Sequence, residues 1–204
     1  MTTLKLIYFD IHGGRGEPPR LALRMAGIPF EDERVPFAQW RSLKPTLPFQ
    51  AMPVLEVDGR RITQSNTINR YVGKLTDLYP SDPWQAALCD EVMDVVEDIG
   101  QRISATFTMT DEEKKQVREA LAKAPIPMFL RGLDALLAAH GGTFFADDRL
   151  TVADLKAFLW IGHLLSGKLE HVPTNVVIEN APLLVPYYES IRDHPKVAPH
   201  FHGG

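Results

Sequence analysis

The 204-residue sequence predicts a small α/β domain followed by an all-helical domain. Up to about residue 80, short apolar runs alternate with turn residues, which is typical of mixed strands and helices. Beyond residue 83, apolar residues recur at helical spacing in segment after segment. We therefore place the predicted domains at residues 1–80 and 83–204.

The first domain is predicted as strand, helix, strand, hairpin and helix. Its first three segments are a strand at residues 4–9, a helix at 17–26 and a strand at 30–35. Asp58-Gly59 between two short strand-like runs is a strong signal for a two-residue hairpin. Ser65 can cap a helix over residues 66–75. This order of elements is that of a thioredoxin-like domain.

The second domain is predicted as a bundle of helices, the first of them long, with apolar residues from 87 to 107. Thr110 to Glu113 has the sequence of a capping box opening a shorter helix, which Pro125 ends. A second capping-box sequence, residues 151–154, precedes an apolar run that is too short to span a membrane and is predicted as a buried central helix. Two further helices are predicted over residues 128–140 and 183–193.

Composition limits the classes of function. The 26 acidic residues outnumber the 22 basic ones, which argues against a nucleic-acid-binding surface. No apolar run approaches the roughly 20 residues of a membrane helix, so no membrane partner is expected. The one cysteine, Cys89, cannot form an internal disulfide, which fits a reducing compartment. We expect a cytoplasmic protein whose partners are small molecules or proteins.

Three motifs stand at informative places in the first domain. Tyr8 ends the first predicted strand and is followed at once by a glycine-rich turn that contains Arg15. Met52-Pro53 directly precedes the third strand, and Gln64-Ser65 opens the helix after the hairpin. Together these segments resemble the cytosolic glutathione S-transferases, and among them the tyrosine-type sigma class. The second capping-box sequence is also family-like, so the resemblance covers essentially the whole chain.

The resemblance implies a thioredoxin-like glutathione-binding domain followed by a helical bundle with a pocket for a hydrophobic electrophile. It implies a homodimeric transferase whose glutathione thiolate attacks that electrophile. Two other classes stay open. One is a glutathione-dependent isomerase of the prostaglandin type, and the other is a non-catalytic relative that binds ligands or serves as a structural protein.

Tyr8 and Arg15 are the predicted catalytic residues. A free thiol has a pKa near 8.5, so a device that favours the thiolate is needed at neutral pH. A protonated phenol at Tyr8 can donate a hydrogen bond to the sulfur anion, and a permanent cation at Arg15 would favour it further. The alternative for Tyr8 is a core tyrosine at a strand end. For Arg15 it is a solvated side chain or a partner of Glu17.

The predicted glutathione contacts in the middle of the domain are Met52, Pro53, Gln64 and Ser65. The resemblance implies a cis Met52-Pro53 bond that presents the backbone of Met52 to the cysteinyl part of glutathione. At the helix start, the Ser65 hydroxyl and the free N–H groups would bind the γ-glutamyl carboxylate, with amide contacts from Gln64. A trans proline and a simple helix cap are the alternatives.

Four more residues are assigned to glutathione by the resemblance. Trp40 and Lys44, in the loop after the second strand, would bind the glycyl carboxylate, and Gln50 would contact the tripeptide. Asp98, on the acidic face that also carries Asp90 and Asp94, would reach the glutathione ammonium across the dimer. A solvated acidic face is the alternative, and no bound metal is expected.

The electrophile pocket is expected on both sides of the domain boundary. Lys156 and Trp160 are one turn apart, so both could project into the cleft, or they could be a surface lysine and a core tryptophan. The predicted pocket residues are Phe9, Gly14, Ser104, Phe107, Lys156, Trp160 and Phe201.

Overall fold

The computed structural model describes residues 2–201, so the predicted domain bounds at residues 1 and 204 lie outside the described residues. The strands are β1 (Leu4–Phe9), β2 (Glu31–Val35), β3 (Val54–Val57) and β4 (Arg60–Thr63). The helices are α1 (Glu17–Met25), α2 (Phe37–Leu43), α3 (Ser65–Leu75), α4 (Pro83–Ser104), α5 (Asp111–Lys123), α6 (Pro125–Ala139), α7 (Val152–Leu165), α8 (Val176–Asn180) and α9 (Leu184–Arg192). Short 3-10 turns cover Lys44–Thr46, Pro48–Gln50, Ala105–Thr108 and Ala198–His200.

The four strands form one mixed sheet in the order β2-β1-β3-β4. Strand β1 pairs parallel with β2 and antiparallel with β3, and α1 provides the crossover that a parallel pair needs. Asp58 and Gly59 join β3 to β4 with positive φ angles of 50° and 76°, as the predicted two-residue hairpin requires. This topology confirms the thioredoxin-like fold predicted for the first part of the chain.

The helical part is built around α7. This helix is buried along most of its length and packs against α1 on one side and α4 on another. One hydrophobic cluster includes Leu6 of β1, Leu21 of α1, Ile99 of α4 and Phe158 of α7. The sheet-containing part and the helical part therefore share a continuous core.

Both predicted capping boxes are present. At the start of α5, the Glu113 carboxylate accepts hydrogen bonds from the Thr110 N–H at 3.0 Å and hydroxyl at 2.7 Å. At the start of α7, the Asp154 carboxylate accepts from the Thr151 N–H at 2.8 Å and hydroxyl at 2.7 Å. Asp154 is fully buried and also accepts from the Tyr187 hydroxyl at 2.9 Å. It thereby ties α7 to α9.

The structure corrects several predicted element bounds. Trp40 lies in helix α2 and Lys44 begins a 3-10 turn, whereas a loop was predicted for both. Pro125 does end α5 but also opens α6, because proline is tolerated in the first turn of a helix. Helix α3 begins at Ser65, one residue earlier than predicted, and the Ser65 hydroxyl makes no cap within that helix. Across residues 2–201, no helix combines the length and apolar character that a membrane span requires.

Candidate functional site

Tyr8 is the penultimate residue of β1, and its side chain is buried beneath the glycine-rich turn. A Cβ atom on Gly16 would lie 2.3 Å from the Tyr8 ring, and one on Gly14 would lie 2.6 Å from the Tyr8 hydroxyl oxygen. Neither position leaves room for a side chain, and Gly14 also has a φ of +68°, which favours glycine. The two glycines thus let the turn close directly over the phenol.

The Tyr8 hydroxyl oxygen accepts a hydrogen bond from the backbone N–H of Arg15 at 3.0 Å. Burial raises the pKa of Tyr8 above its ordinary value, and the Arg15 contacts only partly oppose this. The phenol therefore keeps its proton at neutral pH. Because the oxygen is the acceptor in the Arg15 contact, the O–H is left to serve as a donor.

The Arg15 side chain crosses to helix α4. Its Nε donates to the Glu97 carboxylate at 2.7 Å, and its Nη1 donates to the Ser104 hydroxyl at 3.0 Å. Glu17 pairs instead with Arg20, at 2.5 Å, so neither a solvated side chain nor a Glu17 partner describes Arg15. The guanidinium of Arg15 is held beside Tyr8 by groups of the helical part.

Glu97 joins its own helix α4 to the glycine-rich turn, to α3 and to α7. Its carboxylate accepts from the side chains of Arg15, of Ser65 at 2.8 Å, of Gln101 at 3.0 Å and of Lys156 at 2.8 Å. Burial alone would raise the pKa of Glu97, but Lys156 and Arg15 outweigh it and hold the pKa at about 2. Glu97 was not among the residues predicted for the site. The buried face of α4 that it adjoins was the available signal.

Lys156 is the second cation on Glu97. Its side chain is buried on α7, and its ammonium donates to Glu97 and to the side-chain oxygen of Asn66 on α3. The Asn66 amide in turn donates to Asp94 at 2.5 Å. Lys156 is thus neither the surface lysine nor the cleft-lining residue of the two sequence interpretations, because its ammonium binds other side chains of the interior.

The start of α3 presents Gln64 and Ser65 differently from the prediction. Gln64 is exposed, with a positive φ of 69°, and precedes the first turn of the helix. The Ser65 hydroxyl donates to Glu97 rather than to a backbone group of its own helix. The backbone N–H groups of the first turn have no acceptor within an α-helix, so an anion can bind there.

The segment before β3 has the predicted cis peptide bond between Met52 and Pro53. Phe49 and Gln50, just upstream, have positive φ angles of 52° and 50° and are exposed. The Gln50 side chain therefore lies on the surface, two positions before Met52.

Trp40 and Lys44 are brought together next to Phe9. The Lys44 ammonium lies 5.9 Å from the centre of the Trp40 ring, within the range of a cation–π interaction. The Trp40 ring meets the Phe9 ring edge to face at 5.2 Å, and Phe37 stacks on Phe9 at 4.8 Å. Phe9 therefore joins the aromatic group on α2.

The acidic face of α4 is compensated by helix α3. Asp90 accepts from Arg70 at 2.7 Å, and Asp94 lies 3.6 Å from the same guanidinium. Asp98 is exposed on the following turn. Within the part of the chain that the structure describes, no group of three or more histidine, cysteine, aspartate or glutamate side chains could hold a metal ion.

The predicted pocket residues fall into separate groups. Gly14, Ser104 and Lys156 surround the Arg15–Glu97 pair directly or through one contact. Trp160 is buried on α7, and its ring N–H has no partner among the described residues. Two aromatic residues lie elsewhere: Phe107 is 60% exposed under Arg118, and Phe201 packs edge to face on Phe158 at 4.8 Å.

The chain was compared with family models and with curated proteins. The model of the glutathione S-transferase N-terminal domain matches residues 4–74, and that of the C-terminal domain matches residues 97–202. Glutathione S-transferase 1 of Ascaris suum is 36% identical over 163 residues, or 76% of this chain and 77% of that protein. Hematopoietic prostaglandin D synthase of Gallus gallus is 34% identical over 160 residues, or 78% of this chain and 77% of that protein.

Solved structures match over nearly the whole length. A prostaglandin synthase D structure from Nilaparvata lugens superposes with a TM-score of 0.83 at 30% identity, covering 97% of this chain and 96% of that one. A sigma class glutathione S-transferase from Fasciola hepatica gives 0.82 at 28% identity, covering 98% and 95%. With both domain models matched, the chain belongs to the glutathione S-transferase family and is a transferase that uses glutathione as its co-substrate.

Proposed function

We propose that the chain is a tyrosine-type, sigma-like glutathione S-transferase in which Tyr8 stabilises the glutathione thiolate. One observation carries this proposal: a buried phenol accepts the Arg15 N–H and keeps its own proton at the mouth of the glycine-rich turn. A hydrogen bond donated to the charged form of the thiol lowers the thiol pKa. Burial has the opposite effect on Tyr8 itself: it raises the pKa of the phenol, so the proton stays on the phenol oxygen.

Glutathione is proposed to bind between the start of β3 and the start of α3. The backbone of Met52, before cis Pro53, would pair with the cysteinyl part like one rung of a sheet. The N–H groups at the start of α3, with Ser65 and Gln64, would bind the γ-glutamyl carboxylate. The thiol would then face Tyr8.

The glycyl carboxylate of glutathione is proposed to bind to Trp40 and Lys44. Trp40 and Lys44 offer a ring N–H and an ammonium that already lie together, and exposed Gln50 would add amide contacts. Asp98 would bind the glutathione ammonium of a second subunit, since its side chain is exposed whereas Asp90 is paired with Arg70.

The electrophile is proposed to enter between the two parts of the chain, which divide between residues 80 and 83. Bound glutathione supplies a sulfur nucleophile, which forms a bond to the electrophilic carbon while the leaving group departs with its electron pair. Tyr8 orients the sulfur, and Arg15 adds positive charge on the same side. We propose that Gly14, Ser104 and Trp160 line this cleft, with Phe9, Phe107 and Phe201 as its further predicted side chains. Lys156 would act on the cleft through Glu97, since its ammonium is buried.

The proposal also includes a role in detoxification in the cytoplasm. We further propose that two copies of the chain form a homodimer. Helices α4 and α6 form an open apolar groove of about 420 Å³, lined in part by Val95, Met128 and Phe129. Met128 is 54% exposed, and apolar surfaces of this kind are typical of interfaces. Light scattering of wild type and Met128→Glu would test the dimer, since a charge in the groove should produce monomers if the groove is buried between subunits.

A second candidate is a glutathione-dependent isomerase. The similarity to the Gallus gallus and Nilaparvata lugens prostaglandin synthases supports it, because an isomerase of this kind uses the same thiolate without net conjugation. Product analysis separates the two activities. A non-catalytic relative is disfavoured by the intact Tyr8–Arg15 arrangement.

The test is glutathione conjugation to an activated aryl halide by wild type and Tyr8→Phe, measured from about pH 6 to pH 9. We expect kcat/KM near neutral pH to fall roughly 100-fold and its pH midpoint to rise in the variant. Tyr188→Phe, which alters a tyrosine stacked on Phe158, is the matched control and should retain the wild-type midpoint. Equal midpoints in wild type and Tyr8→Phe would exclude the proposed role of Tyr8.

A further inference from the structure

The charge of Arg15 is not free to act on a thiolate. Its Nε lies 2.7 Å from the Glu97 carboxylate, and an ion pair of this kind has little net charge at a distance. Glu97 acts on Tyr8 in the sense opposite to Arg15, raising the pKa of the phenol that Arg15 lowers. Any positive field at the sulfur must therefore come from a group beyond this pair.

Lys156 is that further group. Its ammonium lies 2.8 Å from the second oxygen of the same carboxylate, so Glu97 is shared by two cations. Its position is fixed, because the side chain is 6% exposed and also donates to Asn66. Arg15, Glu97 and Lys156, which we call the Glu97 triad, carry one net positive charge.

The other charged groups near the triad have partners of their own. Arg20, which also acts on Tyr8, binds Glu17 at 2.5 Å and Asp32 at 2.9 Å. Asp94 faces Lys156 from α4, and it lies 3.6 Å from Arg70 on α3. Asp90 binds the same arginine at 2.7 Å. Asp90 and Asp94 thus share one cation, which leaves one negative charge on the α3 side of Lys156. Arg15 is the cation of the triad that acts directly on Tyr8.

We infer that Lys156 is a positioning residue that neutralises Glu97, so that Arg15 retains an effective positive charge toward the sulfur of bound glutathione. This rests on the proposed function, since it concerns the thiolate that Tyr8 stabilises. The same contact holds Glu97 in place for Ser65, so Lys156 links the start of α3 to the turn that carries Arg15. Without Lys156, Glu97 and Arg15 would cancel.

The inference is tested by the ionisation of glutathione bound to Lys156→Met, followed by the ultraviolet absorbance of the thiolate and by the pH profile of kcat/KM. We expect the midpoint to rise by roughly one pH unit, because one unit charge is removed from a poorly solvated site. Lys156→Arg keeps the charge and should restore the midpoint to within a few tenths of a unit. Lys114→Met removes a lysine that pairs with Asp111 at 3.0 Å, and should leave the midpoint unchanged.

The double variant Lys156→Met/Glu97→Gln separates charge from structure. It restores the net charge of the triad to one positive, on Arg15, so its midpoint should return toward the wild-type value. A purely structural role for Lys156 would not produce this recovery, and absence of recovery overturns the inference. The double variant also provides the test if Lys156→Met alone does not fold, since it buries no unpaired carboxylate.

The outcomes also distinguish the two proposals. An unchanged midpoint in folded Lys156→Met overturns the role of Lys156 and leaves the transferase proposal standing, provided that wild type ionises bound glutathione below its free pKa. Wild type that binds glutathione without lowering the thiol pKa overturns the Tyr8 mechanism and the Lys156 inference together. The Lys156 inference can therefore fail while the transferase proposal stands.

Discussion

The Ser65 hydroxyl at the start of α3 donates to the Glu97 carboxylate on α4 at 2.8 Å. This contact connects the helix end proposed to bind the γ-glutamyl carboxylate with the residue that holds Arg15. The parts of the site proposed for the γ-glutamyl carboxylate and for the thiol are thereby joined through one carboxylate.

Ser65→Ala is expected to raise the KM for glutathione by about tenfold while changing kcat less, because the hydroxyl positions the anion site and Glu97 but not the sulfur. Steady-state kinetics with glutathione varied would measure this. Ser166→Ala removes a hydroxyl that donates to the His163 carbonyl at 2.8 Å and accepts from the Lys168 N–H at 3.2 Å; it is the control and should leave KM unchanged. A fall in kcat alone would contradict the assignment.

Gly16→Ala is expected to abolish most conjugation activity, because the added Cβ would lie 2.3 Å from the Tyr8 ring and force the ring or the turn to move. Gly162→Ala is matched to it, since its Cβ would lie 2.8 Å from the Tyr188 ring on a helix away from the turn. Both variants should melt at lower temperature than wild type, and Gly162→Ala alone should keep the wild-type pH midpoint. Full activity in Gly16→Ala would show that the position of the phenol does not matter.

Asp154 is expected to make stability fall as pH rises. Burial raises its pKa to about 6 despite its hydrogen bonds, so the folded protein binds the proton more tightly than the unfolded chain, whose aspartate pKa is about 4. Asp154 therefore contributes stability fully below about pH 4 and loses it through about pH 6, a change of roughly 3 kcal/mol. Urea unfolding of wild type and Asp154→Asn measures this as the pH dependence of the difference between the two free energies. A difference that is flat across this range would rule it out.

Glu97 is expected to give the opposite dependence. Lys156 and Arg15 hold its pKa at about 2 against burial, so its contribution is present above about pH 4.5 and is lost as pH falls toward about 2. Glu97→Gln should therefore reduce the acid sensitivity of unfolding. Glu119→Gln, an exposed change on α5, is the control and should unfold with the wild-type acid dependence. Identical acid transitions for all three proteins would contradict the prediction.

Local chemistry made much of the fold predictable. Asp58-Gly59 specifies its hairpin, and the capping sequences at Thr110 and Thr151 mark two helix starts correctly. Helix α2 was missed because it has only 7 residues and none of them is buried, so its apolar residues Phe37, Trp40 and Leu43 are too few to establish a helical period. The placement of Tyr8 beside the glycine-rich turn was also predictable, because the strand and the turn are consecutive in the sequence.

The Glu97 triad was beyond reach of the sequence. Glu97 and Lys156 are 59 positions apart on different helices, and their pairing depends on how α4 packs against α7. A lysine in a largely apolar helix was a signal for Lys156, because a buried lysine needs a partner. Pattern alone could not say which carboxylate would be that partner.

The shared core has a consequence for how the enzyme responds to its own co-substrate. Helix α7 supports α1 and α4 at once, so the site cannot loosen on one side while the other stays folded. Glutathione bound beside β3 would then delay the melting of distant α9 as much as that of the sheet, in a single transition. A chain cut after α3 would expose the apolar surface that α7 covers and would lose the folded framework on which Tyr8 stands.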